Sequence, residues 1–346
     1  MDRLLTRARL FQAIILVIPL ILLIPVLHSL TQPIVAQSSI PSTSPSALHA
    51  QLNSGSPAEI SAPDTSTDVN VIGGVKVQEG AYPWMVALID NTHESVLFGQ
   101  FCGGALIHPE WVLTVAHCTY KYGQEIDLNE IDALVGQETL DATTGERIKI
   151  ELIIRHLGYN SKTGDSDIAL LKLASPSKYP PVRMANASMS AIDKSGAIAT
   201  VLGWGRTSTK HRVNHLRKAN VPLVDAVTCT STYTQQGYTM TPNMLCAGFQ
   251  QGGTDACSGD SGGPLLVRET EGDENSAWIH VGIISWGRGC ARADAYGVYT
   301  HTALYKNWVD VQIALNSFAN DAGSTIIMPK GQSSPPVQIY MPIINQ

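Results

Sequence analysis

The stretch Gly259-Asp260-Ser261-Gly262-Gly263-Pro264 decides how this chain is read. Glycines on both sides of one serine permit a tight backbone turn that side chains at those positions would obstruct. Such a turn aims successive N–H groups at one point, where a developing oxyanion can be held. Alone, the stretch is only a glycine-rich loop. Two further stretches change its meaning. Leu113-Thr114-Val115-Ala116-His117-Cys118 sets a histidine at the end of an apolar strand, and Asp165-Ser166-Asp167-Ile168-Ala169-Leu170-Leu171-Lys172-Leu173 opens an apolar run with acids. A serine hydroxyl is a poor nucleophile until a base takes its proton, and imidazole suits that role near neutral pH. The imidazole in turn needs an acceptor on its other nitrogen to fix its tautomer and stabilise the imidazolium. His117, Asp167 and Ser261 supply these parts in the chain order His, Asp, Ser.

Around these words, residues 71–318 read as β structure. Trp111–Val115, Ala197–Leu202 and Trp278–Ser285 are short, β-branched or aromatic runs bounded by Gly, Pro or Asn. Many such runs indicate an all-β barrel or sandwich assembly. Helical spacing shows in one place, at Leu304, Trp308, Val311 and Leu315, and predicts a closing C-terminal α-helix.

The ends differ from this middle. Arg3, Arg7 and Arg9 precede an apolar run from Leu10 to Leu27, with Ala36 downstream, which reads as a secretory signal over residues 1–36. Eighteen residues also just span a bilayer, so the same segment reads as an anchor if it is retained. Residues 37–70 are rich in Ser, Thr, Pro and Ala without a period, a composition that suits a flexible pro-segment. Residues 319–346 form a tail with Pro335-Pro336 and a short apolar end.

Composition sets the outer limits. The chain's 346 residues suffice for about two folded units. Twenty-three basic against 29 acidic residues give −6, which excludes a basic nucleic-acid binder. A single long apolar run excludes a multi-span membrane protein. All six cysteines lie between residues 102 and 290, an even count behind an export signal, favouring three disulfides among 15 possible pairings. Joining Cys102 to Cys118 would be worth about 3 kcal/mol in the loop-entropy model. No two cysteines stand two to four residues apart, so no zinc site is expected, and no other metal or cofactor.

The words around His117, Asp167 and Ser261 resemble those of the trypsin-like (chymotrypsin-type) serine endopeptidases, and the resemblance covers residues 71–318. It implies an all-β fold of two packed antiparallel β-barrels with a C-terminal α-helix. His117 and Asp167 would come from the first barrel and Ser261 from the second. By the same resemblance Ser261 is the nucleophile, His117 the general base and then acid, and Asp167 the orienting carboxylate. The N–H groups of Gly259 and Ser261 form the oxyanion hole. The family pairing joins Cys102 to Cys118, Cys229 to Cys246 and Cys257 to Cys290. Ser285, Trp286 and Gly287 resemble the strand that pairs with the substrate backbone, and Gly287 and Gly297 the open walls of a specificity pocket. Asp255 falls at its floor. A buried carboxylate is costly unless a cation pairs with it, so protein or peptide substrates bearing Arg or Lys are expected. Ala256 adds no hydroxyl for a compact ammonium, which favours the two-pronged guanidinium of Arg.

Maturation in this family frees an Ile-Val-Gly-Gly-like start, matched here by Val71-Ile72-Gly73-Gly74, whose ammonium would pair with Asp260. The preceding residue is Asn70, so an Arg-specific enzyme would not cut there itself and another protease is expected to. At the family's calcium loop stand Gln137 and Arg147, which suit no hard cation. Tyr296 before Gly297 resembles the family variant that takes sodium near the pocket. Asn186-Ala187-Ser188 is a glycosylation acceptor word. The expectation is a secreted endopeptidase made as a zymogen, or one tethered with its peptidase domain outside. The competing expectation is a non-catalytic homologue that acts as a binding module.

Overall fold

The computed structural model describes residues 73–141, 144–189, 191–206 and 213–322. The expected signal, the pro-segment, Val71 and the tail beyond residue 322 lie outside the described residues.

Six strands make the first barrel: β1 (Met85–Asp90), β2 (Gln100–His108), β3 (Trp111–Thr114), β4 (Ile131–Val135), β5 (Glu146–Arg155) and β6 (Ala169–Leu173). They close antiparallel in the order β1-β2-β3-β6-β5-β4 and so leave no edge open. β1, β3, β4 and β6 are buried at every position, each mostly apolar but for one buried polar residue, Asp90, Thr114, Asp132 and Lys172 in turn. β5 alternates, with Ile148 and Ile150 inside and Arg147, Lys149 and Glu151 turned outward.

The second barrel is built from β7 (Ile198–Gly203), β8 (Arg217–Val224), β9 (Met244–Ala247), β10 (Pro264–Arg268), β11 (Trp278–Trp286) and β12 (Gly297–His301). Its strands run β8-β7-β10-β11-β12-β9, and pairing of Leu223 and Val224 with Ala247 and Cys246 closes the ring. Each barrel has its own core, around Leu88, Leu106 and Ile131 in the first and Val201, Val221 and Val281 in the second. A third cluster joins them, with Met85 and Leu134 from the first barrel against Leu202 and Leu266 from the second. The fold is all-β with two antiparallel barrels, as the resemblance implied.

Three disulfides form, Cys102–Cys118, Cys229–Cys246 and Cys257–Cys290, the pairing the resemblance implied. Helices bring two corrections. α1 (Ala226–Gln235) has no counterpart in the periodicity reading. It buries only Cys229 and Tyr233, four residues apart, and Val227 is exposed, so its apolar stripe is too narrow to register. Asp225 starts it, its side chain accepting from the Thr228 N–H at 2.8 Å. The expected C-terminal helix exists as α2 (Lys306–Ala322), and of the four residues read as its face Trp308 packs on the first barrel while the other three do not. Leu304, Val311 and Leu315 are exposed, and Leu304 lies in a 3₁₀ turn before the helix. Tyr305, Val309 and Ile313 pack on the first barrel instead, an equally regular set of +4 steps. Among the described residues no helix is long and apolar enough to cross a membrane.

Candidate active site

Strand pairing brings the candidate residues together. β3 pairs antiparallel with β6, Thr114 opposite Ala169. The chain leaving β3 therefore lies beside the chain entering β6, and His117 meets Asp167 across 50 residues of sequence. A 3₁₀ turn, Ala116–Thr119, carries His117, and Cys118 ties this turn to β2. Asp167 is 2% exposed and accepts three hydrogen bonds. His117 N–H reaches Oδ1 at 2.9 Å, the imidazole Nδ1 stands 2.7 Å from Oδ2, and the Ser285 hydroxyl donates to Oδ2 at 2.6 Å. The Thr300 hydroxyl donates to the Asp167 carbonyl at 2.7 Å, so the second barrel also grips this residue. With Nδ1 facing a carboxylate, the proton sits there and Nε2 is left as the basic nitrogen.

Ser261 lies at the entry to β10. Its carbonyl accepts from Gly103 N–H of β2 at 2.7 Å, while Gly262 N–H donates to the Ile284 carbonyl of β11 at 2.8 Å. The serine is thus clamped between the two barrels. Gly262 has φ +85°, and a Cβ there would strike Thr114 Oγ1 and the Gly103 carbonyl, so only glycine allows this approach. Among the described residues the N–H groups of Gly259 and Ser261 take no internal hydrogen bond and remain available to a ligand oxygen. The Ser261 hydroxyl makes no hydrogen bond to the imidazole either, a contact that commonly tightens only with substrate bound.

Ser261 lines a pocket of about 290 Å³ together with Asp255, Ala256, Ser285, Trp286, Gly287 and Gly297. Ser285 and Trp286 also border a neighbouring cleft of about 470 Å³ that contains His117 and Asp167. Asp255 is buried, and burial pushes its carboxyl up to about 6 against the pull of the Ala291 and Ala256 amides. A Cβ on Gly297 would come within 3.0 Å of Asp255 Oδ1 and within 2.9 Å of the Tyr299 hydroxyl, so a side chain there would close the floor. Asp260 is 1% exposed and accepts from Gly205 N–H at 2.6 Å and Cys257 N–H at 2.8 Å. Burial raises its carboxyl to about 7, against the pull of the Cys257 and Gly205 amides.

The family model described as Trypsin matches residues 71–309. This chain belongs to the trypsin family. It is 33% identical over 255 residues to the suppressor of tumorigenicity 14 protein homolog of Bos taurus, an alignment covering 71% of this chain and 28% of that relative. The chain therefore spans little of that relative's length.

Several residues of this trypsin domain's site carry no sequence motif. Thr300 and Tyr299 sit on β12 with nothing around them to mark a role, yet one holds Asp167 and the other lines the pocket. The Tyr299 hydroxyl is fully buried without a partner among the described residues, and burial keeps it protonated, a donor facing the pocket. Gln137, expected from the resemblance to stand at the family's calcium loop, accepts from the Gly145 N–H and donates to the Thr139 carbonyl, while Arg147 pairs with Asp132 at 2.7 Å. These residues do not fit a hard cation. Cys102, His117 and Cys118 lie within 4.8 Å of one another, but both sulfurs are in a disulfide and offer no thiolate. The carbonyl of Tyr296 accepts from the Tyr233 hydroxyl, and Asn186 Oδ1 accepts from Ser188 N–H at 3.0 Å.

Proposed function

We propose that this chain is a secreted endopeptidase, made as a zymogen, that hydrolyses peptide bonds after Arg, and less readily after Lys, through an acyl-enzyme. Residues 1–36 are its export signal, or an anchor where retained. Residues 37–70 are the pro-segment, residues 71–318 the peptidase domain and residues 319–346 a tail, with activation by another protease after Asn70. The supporting observation is that Asp167 accepts from His117 and Ser285 beside a pocket lined by Ser285, Ser261 and Asp255.

In this reading His117 Nε2 takes the Ser261 proton as Oγ attacks the scissile carbonyl carbon. The resulting oxyanion receives the N–H groups of Gly259 and Ser261, one such donor being worth about 10²–10³ in rate. The imidazolium returns its proton to the leaving nitrogen as the C–N bond breaks, and water then repeats the sequence on the ester. Pairing of the Val71 ammonium with Asp260 would order the loop between Cys257 and Ser261, so a distant cut switches the site on.

Matched peptides ending in Arg or Lys test this on the form beginning at Val71. A guanidinium makes one more charge-assisted bond to Asp255 than an ammonium, worth about 1.5 kcal/mol, so Arg should be cleaved roughly tenfold faster. Equal rates would refute the preference. Full activity in protein whose first residue lies upstream of Val71 would refute the activation route.

A further inference from the structure

Gln100, the first residue of β2, is 2% exposed. A bulge between Leu88 and Ile89 breaks the regular pairing of β1 with β2 where Gln100 sits opposite Ile89. Its side chain spends both amide hydrogens on backbone carbonyls: Nε2 donates to Cys102 at 3.1 Å and to Gly259 at 2.8 Å, the latter across 159 residues of sequence and from one barrel to the other. Gly259 carries a positive φ of +101°, and a Cβ there would come within 3.2 Å of the Gly205 backbone and 3.5 Å of Gln100 Oε1. A glycine in this conformation has little of its own to keep it there. Arg206 N–H holds the Ser258 carbonyl at 2.8 Å, which fixes the peptide plane whose other edge is the Gly259 N–H. Gln100 holds the next carbonyl, so both peptide planes flanking Gly259 are pinned.

We propose that Gln100 is a positioning residue for the oxyanion site: by anchoring the Gly259 carbonyl to the first barrel it keeps the Gly259 N–H aimed where charge develops, and it does so on the barrel that carries His117. The inference rests on the endopeptidase reading above. Gln100 touches no substrate atom; it acts through Gly259. Its amide is uncharged, so the tether holds at any pH at which the fold survives, and the Cys102 carbonyl beside it belongs to the disulfide that anchors the His117 turn.

The test compares wild type with Gln100→Met, similar in length but without a donor, using the Val71 form and two probes. A peptide ending in argininal forms a hemiacetal with Ser261 and places an oxygen among the oxyanion donors. Benzamidine fills only the Asp255 pocket. The expected result is a fall of about 10- to 100-fold in kcat with KM nearly constant, a fraction of what outright loss of an oxyanion donor removes, and an equal fall in aldehyde affinity with benzamidine affinity unchanged. Aldehyde affinity and kcat within twofold of wild type would overturn the proposal, and so would a parallel loss of benzamidine binding, which marks general collapse of the loop. If Gln100→Met does not fold, Gln100→Glu at pH 8 keeps the length, removes the donor and must show the same selective loss. A wild type that cleaves no peptide and forms no aldehyde adduct is a different failure, that of the endopeptidase reading.

Discussion

Ser261→Ala should lower kcat on an Arg peptide by about 10⁴- to 10⁶-fold, with KM almost unchanged. Alanine leaves His117 with no proton to remove and the acyl group with no oxygen to bind, so only positioning and the oxyanion donors still act on a direct attack by water. KM should hold because the pocket walls and the Asp255 floor are untouched. Stability should hold too. The ties of Ser261 to its surroundings run through its carbonyl to Gly103 and through the neighbouring Gly262 N–H, and alanine keeps both. Steady-state rates together with a thermal unfolding curve check this. A variant within a hundredfold of wild type would mean that some other group carries the reaction, and a wild type already as slow as the variant would point to the binding-module alternative.

Asp255→Asn should cost about 10²- to 10⁴-fold in kcat/KM on Arg and Lys peptides, since removing one partner of a buried charge pair costs about 3–5 kcal/mol. The loss should fall on basic substrates, while reaction with a small uncharged ester changes little. The same carboxyl sets a pH dependence. In the empty pocket burial has pushed it up to about 6, so below that pH it is protonated and a cation must displace the proton to bind. Benzamidine affinity should therefore be flat above about pH 6 and weaken roughly tenfold per unit below it, with a proton released on binding. Stability runs the other way. A carboxyl whose folded value is raised stabilises the fold fully only below its unfolded value and loses that contribution as pH rises through about 6. Asp255→Asn should thus be more stable than wild type at pH 8, with the advantage gone below pH 4. An unaltered benzamidine affinity in Asp255→Asn would remove the acid from the pocket's role.

The parts of the site that were legible in sequence are those whose chemistry needs a particular side chain inside a fixed local setting. His117 follows an apolar strand and Asp167 precedes one, because antiparallel pairing of those strands is what brings the two together. Ser261 announces itself through Gly262, whose missing Cβ lets two backbones touch. Gln100, Thr300 and Tyr299 were not legible, since each works through a partner contributed by distant chain: a carbonyl of Gly259, a carbonyl of Asp167, the pocket opposite Gly297. Backbone acceptors leave no mark on the letters around their donors. The C-terminal helix was legible, but the full set of its docking residues was not. The 3₁₀ turn and α2 together offer two apolar stripes of similar regularity, and only the shape of the first barrel selects Tyr305, Val309 and Ile313, with Trp308, over Leu304, Val311 and Leu315. α1 buries too few residues for any periodicity to show.

The central claim is that His117, held by Asp167, makes Ser261 a nucleophile. Intact mass after exposure of the Val71 form to a fluorophosphonate tests it most directly, because that reagent reports the reactivity of the hydroxyl itself and requires no knowledge of the substrate. One adduct per chain, mapped to Ser261, should form rapidly in wild type, form more slowly by orders of magnitude in His117→Ala and be absent in Ser261→Ala. No adduct on correctly processed wild type, or an adduct that forms as fast without the imidazole, would contradict it.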